Sequence, residues 1–118
     1  MLFRSAADPK NVDRILQLSK AEAARRQYRE AVATSTQGLA FAPKNADLYL
    51  ERGHRELGLR EFKSALKDLQ QATLLAPENL DAHYHLGLAH YFLGEFDEAA
   101  ASFASARALA KTNDSLID

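Results

Sequence analysis

Punctuation at a fixed period constrains this chain more than any other feature. Pro9, Pro43 and Pro77 stand 34 residues apart, and Lys111 occupies the next place in the series. Asn11, Asn45, Asn79 and Asn113 keep the same spacing, as do Asp13, Asp47 and Asp81. Proline lacks an N–H and its ring clashes with the preceding turn, so it closes a helix. Asparagine two residues later suits a turn or an N-cap. Aspartate then sits in the first turn of the next helix, where the dipole favours negative charge. Each period therefore predicts Pro-x-Asn, helix, short turn, helix.

Between these marks the apolar residues recur at i, i+3/i+4 and i+7, the spacing of amphipathic helices. The spacing predicts helix pairs at 11–24 and 28–41, 46–57 and 62–75, and 80–92 and 96–110. Small residues at Gly53, Gly87, Ala65, Ala99, Ala72 and Ala106 allow close backbone approach, and Leu69 and Phe103 fill the space between. The first pair is the least regular. Ser19 takes the tight-packing Gly position, Ser35 the large apolar one and Gly38 the Ala one. No strand-type alternation of useful length occurs.

This pattern resembles the tetratricopeptide repeat, a 34-residue unit with an aromatic, Leu-Gly, a second aromatic, Ala, a large apolar residue, Ala and a closing Pro. The third unit carries His83, Leu86, Gly87, His90, Ala99, Phe103 and Ala106. The second carries Tyr49, Arg52, Gly53, Glu56, Ala65, Leu69, Ala72 and Pro77. The first carries Ile15, Leu18, Ser19, Glu22, Ala31, Ser35, Gly38 and Pro43. The resemblance covers 11–113 and implies an all-α fold, an α-α superhelix (a right-handed solenoid of antiparallel helix pairs). It implies one domain over 1–118, with repeats at about 12–45, 46–79 and 80–113. Residues 1–8 read as the tail of an incoming helix, with Leu2 and Phe3 placed to cover the end of the array.

In the family the first helix of each pair lines a concave groove that takes a peptide or a partner's helix. Carried over, the groove positions include Leu16, Lys20, Leu50, Glu51, His54, Tyr84, His85 and Leu88, with Asp81, Phe92 and Tyr91 beside them. Some members hold a C-terminal carboxylate with Lys, Asn, Asn, Lys and Arg. Those positions here read Leu16, Lys20, Glu51, Asp81 and His85, and the two acids would repel a carboxylate. The resemblance thus implies a scaffold or adaptor that binds proteins. The alternatives are an assembly segment of a longer repeat array and a regulatory domain attached to an enzyme.

Composition narrows the field. A net charge of -1 gives no argument for nucleic acid, and no apolar run reaches the length of a membrane span. There is no cysteine and no His-Glu-x-x-His motif, so neither a metal site nor a cofactor is expected. His83 and His85 point roughly 200° apart on a helix. His83 and His90 are expected in the packing face, and His54 and His85 in the groove, where a histidine would make binding pH-dependent near neutrality. No nucleophile–base pair or phosphate loop is present, and no catalysis is expected.

Charge is graded along the chain. Residues 1–45 carry eight Lys/Arg and four Asp/Glu, whereas residues 80–118 carry two and six. The last pair also has no capping helix after it in the sequence. These features predict a segment of a longer array, able to form a homodimer through uncapped ends.

Overall fold

A computed structural model describes the backbone of residues 9–117 and the side chains of residues 11–112. Six helices succeed one another: α1 (Pro9–Ala24), α2 (Tyr28–Phe41), α3 (Ala46–Gly58), α4 (Phe62–Leu75), α5 (Leu80–Phe92) and α6 (Phe96–Ile117). No strand occurs among the described residues. Each helix packs against its neighbours in sequence, and α3 also touches both α1 and α5. Thus α1, α3 and α5 form one layer and α2, α4 and α6 the other, the all-α solenoid of antiparallel pairs expected from the period.

The turns inside the pairs repeat one design. Gln27, Glu61 and Glu95 each donate a backbone N–H to the carbonyl five residues back, on Glu22, Glu56 and His90, at 2.8–2.9 Å. Arg26, Arg60 and Gly94 donate to the carbonyl three back at 2.9–3.0 Å. This is the Schellman closure, and it requires a left-handed residue at the turn. Those residues are Arg26 (φ 63°), Arg60 (φ 62°) and Gly94 (φ 81°). Only Gly94 takes that conformation free of Cβ strain.

The turns between pairs use the asparagine series. Asn45 and Asn79 are N-caps, accepting from the N–H groups of Leu48 (3.0 Å) and Ala82 (3.1 Å). The first and last members of the punctuation series depart from this pattern. Pro9 stands at the start of α1, a position where its missing N–H costs nothing. Asn11 is therefore inside α1, 5% exposed, with its Nδ2 unpartnered. At the other end α6 does not stop near 110, and Asn113 does not begin a new helix. Lys111 has the N–H that proline lacks, so the helix runs on to Ile117. Leu2 and Phe3 lie outside the described residues.

Packing explains the small residues. A Cβ on Gly53 would sit 2.7 Å from Leu69 Cγ, and one on Gly87 would sit 2.6 Å from Phe103 Cε1. In the first pair this knob and hole are replaced by two fully buried serines. Ser19 Oγ lies 3.1 Å from Ser35 Oγ, 3.0 Å from the Ala31 carbonyl and 2.9 Å from Glu51 Oε2. Its single proton goes to one of the two acceptors while Ser35 can donate to it. The irregular first pair thus replaces apolar contact with a polar network that reaches α3.

Candidate functional site

The inner layer of α1, α3 and α5 carries every position assigned to the groove. Helical periodicity and the 34-residue register bring His54 of α3 and His85 of α5 together, with ring centroids 4.3 Å apart. His85 Nδ1 is 2.7 Å from the Asp81 carbonyl, so in the neutral ring it carries the proton and leaves Nε2 as an acceptor. Tyr84 stands beside His85 at 5.3 Å in an edge-on arrangement and is 45% exposed. A depression of about 240 Å³ opens here, lined by His54, Arg55, Leu57, Gly58, His85, Leu88 and Phe92 from the inner layer, with Tyr28 of α2 completing it.

Burial sets the chemistry of the pair. His54 is pushed down to about 4 by burial, and then by His85 and Arg55, with Glu51 and Asp81 opposing. It is neutral throughout the physiological range, so His54 cannot supply the pH dependence near neutrality expected of a groove histidine.

The remaining groove positions fall elsewhere. Lys20 is exposed, while Leu16 and Leu50 are half-buried. Leu16 packs against the core of Val12, Leu39 and Leu48. Leu50 packs against Ala65, Leu69 and Ala89. Glu51 is only 4% exposed. Its carboxylate accepts from Arg55 Nε at 2.7 Å as well as facing Ser19, so it is committed to the protein. Tyr28 and Arg55 line the depression without being among the positions that the register assigns to it. Tyr28 belongs to an outer helix and reaches the site against Gly58, where a Cβ would make ordinary contact with the ring at 3.4 Å.

His90 is buried, with Nδ1 2.8 Å from Glu95 Oε1, and His83 Nε2 lies 2.8 Å from the Pro77 carbonyl. Neither contributes to the inner layer's depression. Behind it, Arg52 grips Asp68 in a bidentate pair, with both bonds at 2.8 Å. Glu56 is buried next to Asp68, and its Oε1 has no hydrogen-bond partner. Burial first, then Asp68, push Glu56 up to about 9. A protonated Glu56 therefore sits against the Arg52–Asp68 pair.

A larger hollow, about 530 Å³, lies between α1 and α2, where Ile15, Leu18, Ala40 and Phe41 supply apolar walls and Asn11 and Thr34 polar ones. None of the assigned groove residues lines it. Among the described residues no group of three or more His, Asp or Glu could hold a metal ion, and no helix is long and apolar enough to cross a membrane.

Three stacked antiparallel pairs with a common Schellman turn and an inner layer of first helices define a helical-repeat protein. The chain belongs to the tetratricopeptide repeat family, whose model matches residues 50–114. Solved structures agree. The second tetratricopeptide domain of Spaghetti (RPAP3), bound to the HSP90 peptide SRMEEVD, is 26% identical over 88% of this chain and 96% of that one, with a TM-score of 0.83. The Sgt2 domain from Aspergillus fumigatus is 25% identical over 92% and 72%, with a TM-score of 0.86. The Arabidopsis OM64 domain is 27% identical over 87% and 85%, with a TM-score of 0.83. A search of curated proteins finds no match.

Proposed function

We propose that this chain is a non-catalytic binding module that takes a peptide or helical segment of a partner protein along α1, α3 and α5. The observation that carries this reading is the exposure of Tyr84 (45%) and Phe92 (48%) beside the His54–His85 depression. Rigid rings next to a recess are the anchors on which binding energy concentrates. Neutral His54 and a half-buried Leu88 make the recess suited to an apolar side chain.

The likeness to the second Spaghetti domain raises the HSP90 peptide SRMEEVD as a candidate ligand. The charges here argue against it. Asp47 and Asp81 lie on the first turns of α3 and α5, whereas Asp13 falls past the first turn of α1, and Arg55, beside the recess, is neutralised by Glu51. An acid-ended peptide would meet repulsion where it needs cations.

Selection from a random peptide display library, then calorimetry on the selected peptides, tests both statements. Selected peptides should carry large apolar residues without an acidic terminus. Tyr84→Ala should weaken them by about tenfold or more, the loss of one aromatic anchor. Enrichment of acidic C-termini, or full affinity in Tyr84→Ala, would overturn the assignment. Leu50→Ala is a poor probe, because Leu50 also supports the core around Leu69.

A further inference from the structure

The three intra-pair turns lie side by side and form a second continuous surface. Arg29 pairs with Glu61 at 3.1 Å, which ties the first turn to the second. Phe62 stacks on Phe92 at 4.8 Å, which ties the second to the third. Tyr91 then meets Phe92 at 5.6 Å and Phe96 at 5.5 Å. Three of these rings are exposed by about half: Tyr91 (52%), Phe92 (48%) and Phe96 (61%). A contiguous exposed aromatic patch with mutually ordered rings marks an interaction surface.

The charges along this edge say what fits it. Residues 25–30 hold Arg25, Arg26 and Arg29 against one acid, Glu30, while the equivalent residues 93–98 hold Glu95, Asp97 and Glu98 and no base. The middle turn carries both signs in Arg60 and Glu61. Arg26 and Arg60 also occupy left-handed backbone, a conformation that crowds the Cβ of an L-residue. Both turns keep a guanidinium at a place where the third turn uses glycine.

We propose that this edge pairs with the same edge of a second copy, antiparallel about a twofold axis. The axis passes by the Arg60–Glu61 turn. Residues 25–30 of each copy then face residues 93–98 of the other, and the contact is made twice by symmetry. Arginines of one copy reach the acids and the exposed faces of Tyr91 and Phe96 of the other, combining ion pairing with cation–π contact. A parallel arrangement would set like charge on like charge. This pairing does not involve the array ends and leaves Tyr84 open; it uses Tyr91 and Phe96, with Phe92 on the border between this edge and the recess.

Because the chain has no cysteine, single-cysteine trapping is clean. Arg60→Cys should form a disulfide-linked dimer under mild oxidation, and Lys44→Cys, at the opposite edge, should not. Sedimentation equilibrium on the whole chain measures the affinity. Asp97→Arg/Glu98→Arg should weaken the dimer by about tenfold or more, as should Arg25→Glu/Arg26→Glu. All four changes in one chain should restore it, a recovery that damage to folding would not produce. Tyr91→Ala should weaken it without altering its salt dependence. A monomer at every concentration, a dimer indifferent to both charge reversals, or trapping at Lys44→Cys equal to that at Arg60→Cys would overturn the proposal.

Discussion

Glu56 is the residue most out of keeping with its surroundings. Its carboxyl is pushed from 4.5 up to about 9 because burial disfavours the charge and Asp68 stands beside it. The folded state therefore holds a proton that the unfolded chain has released. Stability from this group is fully present below about pH 4.5 and is lost as pH rises toward 9. Glu56→Gln, which keeps the shape and a donor toward Asp68, should stabilise the protein by about 1–2 kcal/mol at pH 8.5 and little at pH 5. Urea denaturation at the two pH values checks this. Gly53→Ala tests the packing in the same helix. Its new Cβ would come within 2.7 Å of Leu69 Cγ, so a loss of about 1–3 kcal/mol is expected from thermal unfolding. The tight role of Gly53 was legible in the sequence from its register with Gly87. The state of Glu56 was not, because it depends on Asp68 from another helix.

At the scale of elements, asparagine at the same place in the period plays different roles according to where the helix has started. Asn45 and Asn79 cap α3 and α5, but Asn11 lies inside α1, which already includes Pro9. Asn79→Ala should cost about 1 kcal/mol through the lost bond to Ala82 N–H, while Asn11→Ala removes no cap. Comparing the two variants by chemical denaturation separates the roles. The extent of α6 has a related origin. The period predicts an end near residue 110, yet Lys111 fills the place of the closing proline, so nothing stops the backbone ladder before Ile117. Periodicity places helices reliably, whereas their ends depend on which residue fills each slot.

At the scale of the whole molecule, the pairs among the described residues contact only their neighbours, and the central pair is held from both sides. Such an array gains stability from each interface it makes. Amide exchange in this chain should therefore be slowest in α3 and α4 and faster in α1 and α6. Mass-spectrometric hydrogen exchange reads this directly, and uniform protection would count against the nearest-neighbour picture.

The repeat, its register and its division into inner and outer helices are determined by the sequence alone. Proline, asparagine and glycine act locally, and their 34-residue spacing is visible without coordinates. Tertiary structure alone decided which inner-layer residues remain available. Glu51 is on the face that the register assigns to ligand, but Ser19 and Arg55 claim its carboxylate. His54 is likewise on that face, but burial and contact with His85 hold it neutral. The ring chain from Phe62 to Phe96 joins three helices and two turns. A pattern along one helix specifies the face of a residue. Whether that residue meets solvent, a partner or another side chain depends on distances between helices, which the folded array sets.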